Sequence, residues 1–371
     1  MDQFCGEVVG IRARELGLDF GILPTGKFNA ITDVPGVTVG HVSLIWGQGR
    51  LIPGLGPVRT GVTAILPHGG NLYTQKCPAA VFPFNGYGKS IGIMYVEELG
   101  ICENPILITN TLSVGAALEG GIDWALKHNP RVGISERTPN ISVYECDDGY
   151  LNDIRGRHVH QQHAWEAIAT ATGGQVPEGN VGAGVGMSSF AYKSGVGTCS
   201  RIVNNSLGTW TLGVLMVCNF GQRQDLIIKG IPFGRMFPVK ENETPSNGNS
   251  NITIIATDAP LTCPQLKCLA KRPELGLSRV GSISRWGSGD IDMVISNYPW
   301  IHLQAQPPLM DSAVFLDPFI EAVVDASEEA CLNALFQAET MVGADYHVRK
   351  KLPIEQIMAY LRSSNRVTLP F

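Results

Sequence analysis

The chain has 371 residues, 44% hydrophobic and 16% charged, which is enough apolar content to bury a large core. A net charge of -5 without a basic run argues against a nucleic-acid or anionic-membrane partner, and the longest apolar stretch, around 212–220, is too short to cross a bilayer. Nine scattered cysteines, none in a Cys-x-x-Cys, favour reduced thiols over a disulfide framework, and Met1 to Glu7 lacks the pattern of a signal peptide, so a cytoplasmic protein is expected.

In chain order, Val37 to Val39 and Thr60 to Leu66 read as strands. Asn110-Thr-Leu-Ser113 leads into a helix whose Val114, Leu118, Ile122 and Leu126 share one face. A second helix is expected from about Arg157 to Thr172, capped by Gly173-Gly174. It carries His158, His160 and His163, of which only the last two share a face, with no nearby acid or cysteine, so no metal is implied. Thr211 to Asn219, Ile252 to Thr257 and Asp290 to Ser296 read as buried strands. Gln265 to Arg272 reads as a helix, with Cys263 and Cys268 flanking a turn. Further on, Asp325 and Glu328 suit a capping box, and Ile354, Ile357, Met358 and Leu361 form an apolar stripe. The pattern is a mixed α/β chain of layered helices and sheets. Its one composition break, 241–250, falls inside the alternation, which marks a single interrupted domain over 1–371.

Catalytic motifs of the common kinds are missing: no Gly-x-Ser-x-Gly, no Walker loop, no His-Glu-x-x-His. Gly182-Ala-Gly184-Val-Gly186 resembles a dinucleotide loop, but Met187 holds the position the last glycine needs, so no organic cofactor is implied. What remains is a polar run, Glu241 to Asn249, that ends at Ser250 and passes directly into the strand Ile252 to Thr257. Cutting the Asn249–Ser250 bond would give Ser250 both a nucleophilic hydroxyl and a free α-amine as its base. An ordinary turn-rich loop is the bland reading. Ser288-Gly-Asp290 places a hydroxyl and a carboxylate at the head of a strand, or simply makes a polar turn. Asn219 ends an apolar strand, where its amide can donate to an oxyanion or brace the turn before Gly221. Glu145 follows an apolar stretch, where it can pair with a substrate ammonium or remain a plain acid.

Together these blocks resemble the self-processing aminopeptidases of the L-aminopeptidase/D-Ala-esterase-amidase and β-peptidyl aminopeptidase type. The resemblance runs from about Gly10 to the C-terminus. It includes Ile31-Thr-Asp-Val-Pro-Gly-Val-Thr-Val-Gly-His41, Asn110-Thr-Leu-Ser-Val-Gly115, Asp148-Gly-Tyr-Leu-Asn-Asp153 and Ser250 with Ile255-Ala-Thr-Asp-Ala-Pro-Leu261. It implies a four-layer αββα sandwich, shaped like the N-terminal-nucleophile hydrolases but differently connected. It also implies self-cleavage into 1–249 and 250–371, and a cofactor-free hydrolase releasing small N-terminal residues from peptides, amides or esters. Carried onto this chain, Ser250 is the nucleophile, Ser288 assists proton transfer at its hydroxyl and Asp290 orients Ser288. Asn219 donates to the tetrahedral intermediate, and Glu145 holds the substrate amine. Asp290 stands where the family more often has Glu, one methylene longer. The resemblance further suggests a tetramer of processed units. Two rival readings are an acyltransferase like the ornithine acetyltransferases, which use threonine rather than serine, and a catalytically silent binding protein on the same fold.

Overall fold

Apolar alternation along ten strands assembles two facing sheets. The computed structural model describes residues 10–205, 208–238, 250–298 and 313–364. In the first sheet β1 (Thr38–Trp46) and β2 (Val58–Leu66) pair antiparallel, with Val42 opposite Val62. β5 (Ile106–Asn110) lies against β2, and β6 (Ser142–Cys146) runs parallel to β5 at the edge. The second sheet has six strands in the order β4-β3-β12-β11-β10-β9. These are β3 (Cys77–Pro83), β4 (Ile101–Cys102), β9 (Val196–Asn205), β10 (Gly208–Asn219), β11 (Ser250–Thr257) and β12 (Gly289–Ser296). Only β11 and β12 run parallel among its neighbours. A small hairpin, β7 (Ser188–Ser189) and β8 (Tyr192–Lys193), sits outside both sheets.

Period-2 side chains sort into three clusters, and these define the layers. Val39, Ile65, Ile108 and Tyr144 of the first sheet meet Val81, Leu215, Ile252 and Met293 of the second. The outer face of the first sheet, with Val62, Leu107 and Val143, is covered by Ala117 of α2 (Val114–His128) and Ile168 of α3 (Gln161–Ala169). On the outer face of the second, Val214, Ile255 and Val294 meet three helices. They are α5 (Cys263–Ala270), α6 (Pro273–Val280) and the long helix Ala313–Phe336. Shorter helices α1 (Ile93–Leu99) and α4 (Phe233–Met236) fill in elsewhere. The result is the expected αββα sandwich.

Three local readings need correction. The helix expected from 157 begins at Gln161, because His158 is turned to give its Nε2 to the Asp153 carboxylate at 2.9 Å; an acid does lie beside that histidine. Asp325 and Glu328 lie inside the Ala313–Phe336 helix rather than at its start, where Arg279 of α6 binds both. Cys263 and Cys268 lie within α5 and flank no turn. The glycines of the 182–186 run serve close packing: at Gly182, with φ of 51°, a Cβ would sit 2.4 Å from Thr63 Oγ1 and 2.6 Å from His41 Nδ1.

The long helix is tied to β9 by a fully buried ion pair, Arg201 Nη2 to Glu329 Oε2 at 2.7 Å, with both side chains 0% exposed. Removing one partner of such a pair strands a buried charge. Glu329 also holds Arg14 Nε at 2.9 Å, so the change that strands a charge is Glu329→Ala, which takes the carboxylate from the buried Arg201 guanidinium. It is expected to cost about 3–5 kcal/mol, read as a large fall in the denaturant midpoint.

Candidate active site

The head of β11 is where the sheet brings the chemistry together. Ser250 is its first residue and is only 5% exposed. It stands opposite Asn219, the last residue of β10, and in register with Gly289, the first residue of β12. Alternation puts Ser250 on the face of Ile252 and Ile254, between the sheets, and Asn219 on the face of Leu215 and Val217. The two side chains therefore meet: Asn219 Nδ2 lies 3.3 Å from Ser250 Oγ.

The amide of Asn219 is held at both ends. Its Oδ1 accepts from the Ser188 N–H of β7 at 3.0 Å, and its Nδ2 donates to the Asp147 carbonyl at 2.7 Å. A flipped amide would set oxygen against that carbonyl and NH₂ against that N–H, so the donor is fixed toward Ser250. A second nucleophile sits alongside. Cys146, at the end of β6, faces the same inter-sheet space, and its thiol donates to the Val217 carbonyl at 3.7 Å. Burial above all pushes that thiol well up, with the nearby carboxylates of Glu145, Asp290 and Asp147 adding to the effect. Burial thus keeps the Cys146 thiol in its protonated, weakly nucleophilic form.

Ser288 and Asp290 form a pair at the head of β12. Ser288 Oγ donates to Asp290 Oδ1 at 2.6 Å, and Asn85 Nδ2 donates to Asp290 Oδ2 at 2.8 Å. Asn85 arrives through the segment after β3, whose backbone follows the start of β12: Phe84 N and Asn85 N both donate to the Asp290 carbonyl. The Asp290 carboxyl is raised by burial and drawn back by its donors Ser288, Asn85 and the Asn251 amide. Asp290, like Asp292 and Val294, is on the helix-facing side of the sheet, opposite to Ser250 Oγ. Accordingly the Ser288 hydroxyl is given to Asp290, not to Ser250.

Glu145 occupies a third corner. Its Oε1 accepts from the Lys89 N–H at 2.9 Å and its Oε2 from the Thr111 hydroxyl. It is 4% exposed and faces no lysine or arginine side chain among its hydrogen-bond partners. Gly88 connects it to the head of β12: a Cβ there would lie 3.5 Å from Glu145 Oε1 and 3.7 Å from Gly289 Cα. Gly88 thus sits between the carboxylate, the Ile291 side chain and the strand that adjoins Ser250.

All five expected side chains thus lie at one end of the sandwich, as a Ser250–Asn219 contact, a Ser288–Asp290 pair and Glu145 by Gly88. Asn249 lies outside the described residues. Sequence reasoning missed Asn85, Thr111 and Cys146. Thr111 and Cys146 each adjoin a residue already singled out, whereas nothing local marks Asn85. Among the described residues no group of three or more His, Cys, Asp or Glu is disposed to hold a metal ion.

Residues 29–349 match the model of peptidase family S58. The chain is 39% identical to a β-peptidyl aminopeptidase of Sphingosinicella microcystinivorans, over 96% of this chain and 93% of that one. A crystal structure from Pyrococcus horikoshii OT3 is 46% identical, with a TM-score of 0.91, covering 96% of this chain and 100% of that one. The L-aminopeptidase D-Ala-esterase/amidase of Ochrobactrum anthropi, described as a prototype serine aminopeptidase and a variant of the Ntn hydrolase fold, is 36% identical. Its TM-score is 0.85, over 96% of this chain and 99% of that one.

Proposed function

The chain belongs to peptidase family S58, and from that premise we propose that Ser250, freed as an N-terminus by cleavage of the Asn249–Ser250 bond, is the nucleophile of both self-processing and hydrolysis. The protein is a serine-type aminopeptidase and amidase. The observation that carries the assignment of Ser250 is the fixed Asn219 amide 3.3 Å from its hydroxyl, at a strand head between two sheets.

In the mature enzyme the Ser250 α-amine takes the Oγ proton as Oγ bonds to the substrate carbonyl carbon. Charge moves to the carbonyl oxygen, where Asn219 Nδ2 donates to it. Collapse breaks the bond to the leaving nitrogen or oxygen, which receives the proton from the α-amine. Water then attacks the Ser250 ester by the same proton route and releases the acid. Ser288, oriented by Asp290, is the further hydroxyl proposed to assist these transfers once the substrate is bound. Glu145 binds the substrate ammonium in the space beside Gly88. The substrates are small N-terminal residues of peptides, amides or esters, a range spanned by the names of the relatives. We place the processed 1–249 and 250–371 units in a cytoplasmic homotetramer. No helix among the described residues is long and apolar enough to cross a membrane, and their eight cysteines are all free thiols.

Intact mass and N-terminal sequencing test the proposal. Two pieces are expected, the second beginning Ser-Asn-Ile-Thr-Ile. A single uncut chain with full activity would exclude an N-terminal nucleophile. A separate expectation concerns Glu145. A compact ammonium is costly to bury without a carboxylate partner. Glu145→Gln should therefore raise KM for alanine p-nitroanilide roughly tenfold, about 1.4 kcal/mol, while leaving self-cleavage, which presents no free amine, at its normal rate. Equal effects on both reactions would make Glu145 a brace for the Lys89 and Thr111 segments.

A further inference from the structure

Behind Asp290 the hydrogen bonds continue, away from the cleft. Asn85 Nδ2, which donates to Asp290, also donates to the Ser284 carbonyl at 3.1 Å, and the Ser284 hydroxyl donates to Glu274 Oε2 in the first turn of α6. Ser284 itself has φ of 43°, a left-handed conformation unusual for serine that must be held by its surroundings. We propose that Glu274 is a positioning residue for the Ser288–Asp290 pair, acting through Ser284 and Asn85 from the helical side of the sheet. The inference rests on the reading of Ser288 and Asp290 given above.

Two further facts give Glu274 a charge role as well. Its Oε1 has no hydrogen-bond partner, and Asp292, two residues beyond Asp290 on the same face of β12 and opposite Thr253 of β11, is 0% exposed. Three carboxyls share this region. The groups facing Glu274 are Asp290 and Asp292 of β12 and the Cys218 thiol of β10. The nearest arginines in sequence are directed elsewhere: Arg272 to the Cys268 sulfur of α5, Arg279 to Asp325 and Glu328 of the long helix, and Arg285 to Asp225. Buried carboxylates without a cation protonate rather than coexist as anions. Burial raises Glu274 to about 7, with the Asp290 charge adding and the Ser284 hydroxyl opposing. Burial lifts Asp292 well above its usual range, with Glu274 and Asp290 adding and the Thr253 hydroxyl opposing. Asp290 alone has three donors that favour its anion. Below about pH 7 the cluster thus keeps its charge on Asp290. Above that pH Glu274 ionises, repels Asp290 and loosens its hold on Ser288.

The test is kcat for alanine p-nitroanilide between about pH 5.5 and about pH 8.5, in the processed wild type, Glu274→Gln and Ser284→Ala. Glutamine keeps the acceptor for Ser284 but never charges. Glu274→Gln should match the wild type at the acid end, and its kcat relative to wild type should rise by roughly threefold or more toward the alkaline end. Ser284→Ala, a half-buried loop change whose melting temperature is measured alongside, should lower kcat several-fold at every pH, leave KM within about twofold, and slow self-cleavage in parallel. Superimposable pH profiles for wild type and Glu274→Gln, or an unaltered kcat in Ser284→Ala, would overturn the proposal. A wild type that neither cuts itself nor hydrolyses the anilide would instead overturn the catalytic reading. In that case the infrared carboxyl band decides: a buried band titrating near pH 7 and lost in Glu274→Gln supports the charge arrangement, and its persistence in the variant refutes it.

Discussion

Ser250→Ala is expected to remain one chain and to release no product from alanine p-nitroanilide, a loss on the order of 10⁶ in turnover. The change removes the attacking oxygen of both reactions at once. It removes little else: Ser250 is buried, its Oγ meets one amide donor, and the β10 and β12 ladders on either side are made by backbone. The melting temperature should therefore stay close to that of the uncut wild-type fold, which separates lost chemistry from lost structure. Cys146 offers no rescue, since burial and the surrounding carboxylates keep its thiol protonated. Electrophoresis showing two pieces from this variant, or residual hydrolysis above background, would transfer the nucleophile to another residue.

Asn219→Ala should lower kcat by about 10² to 10³ with KM little changed, the usual loss for one oxyanion donor. The geometry gives a reason for the size. The amide is pinned by Ser188 and Asp147 before any substrate binds, so its dipole needs no reorganisation when charge develops. The same pinning supplies the competing explanation, because alanine also frees the Ser188 N–H and the Asp147 carbonyl. An unchanged kcat with a lowered melting temperature would assign Asn219 to bracing those segments. Self-cleavage should slow alongside hydrolysis, since on the proposed mechanism both pass through a tetrahedral oxyanion at Ser250.

How much of this was legible in the chain depended on whether a residue acts through its own strand or through a distant one. Ser250 was legible because a polar run ends there and Ile252 and Ile254 begin a buried alternation. Asp290 was legible for the same reason at the head of β12. Asp292 carried an available signal, since a second carboxylate two residues along a buried strand must share a face with the first. Asn85 had none: it matters because β3 pairs with β12, Pro83 opposite Ile291, and that register is set by the whole sheet. The capping-box pattern at Asp325 and Glu328 misled because its acids answer to Arg279 of another helix. At His158 the helical pattern was overruled by a single carboxylate five residues back. The αββα layering itself came from the family resemblance, since apolar runs alone do not say which sheet faces which.

If the Asn249–Ser250 bond is cut as proposed, the strand order β4-β3-β12-β11-β10-β9 has a consequence for the two pieces. Of these six strands, β11 and β12 come from the segment after residue 249, and they are wedged between strands contributed by the segment before it. Breaking the Asn249–Ser250 bond leaves each ladder on both sides of the wedge intact, so the two polypeptides stay interlocked. Their folding, however, changes its order of reaction. Before the cut, one chain finds its sheet in a unimolecular search. After it, a denatured protein must bring two separate chains together, with the inner pair of strands entering a gap that its partner cannot hold open alone. Persistence of a form cut in this way would then be governed by how slowly it unfolds rather than by a reversible equilibrium.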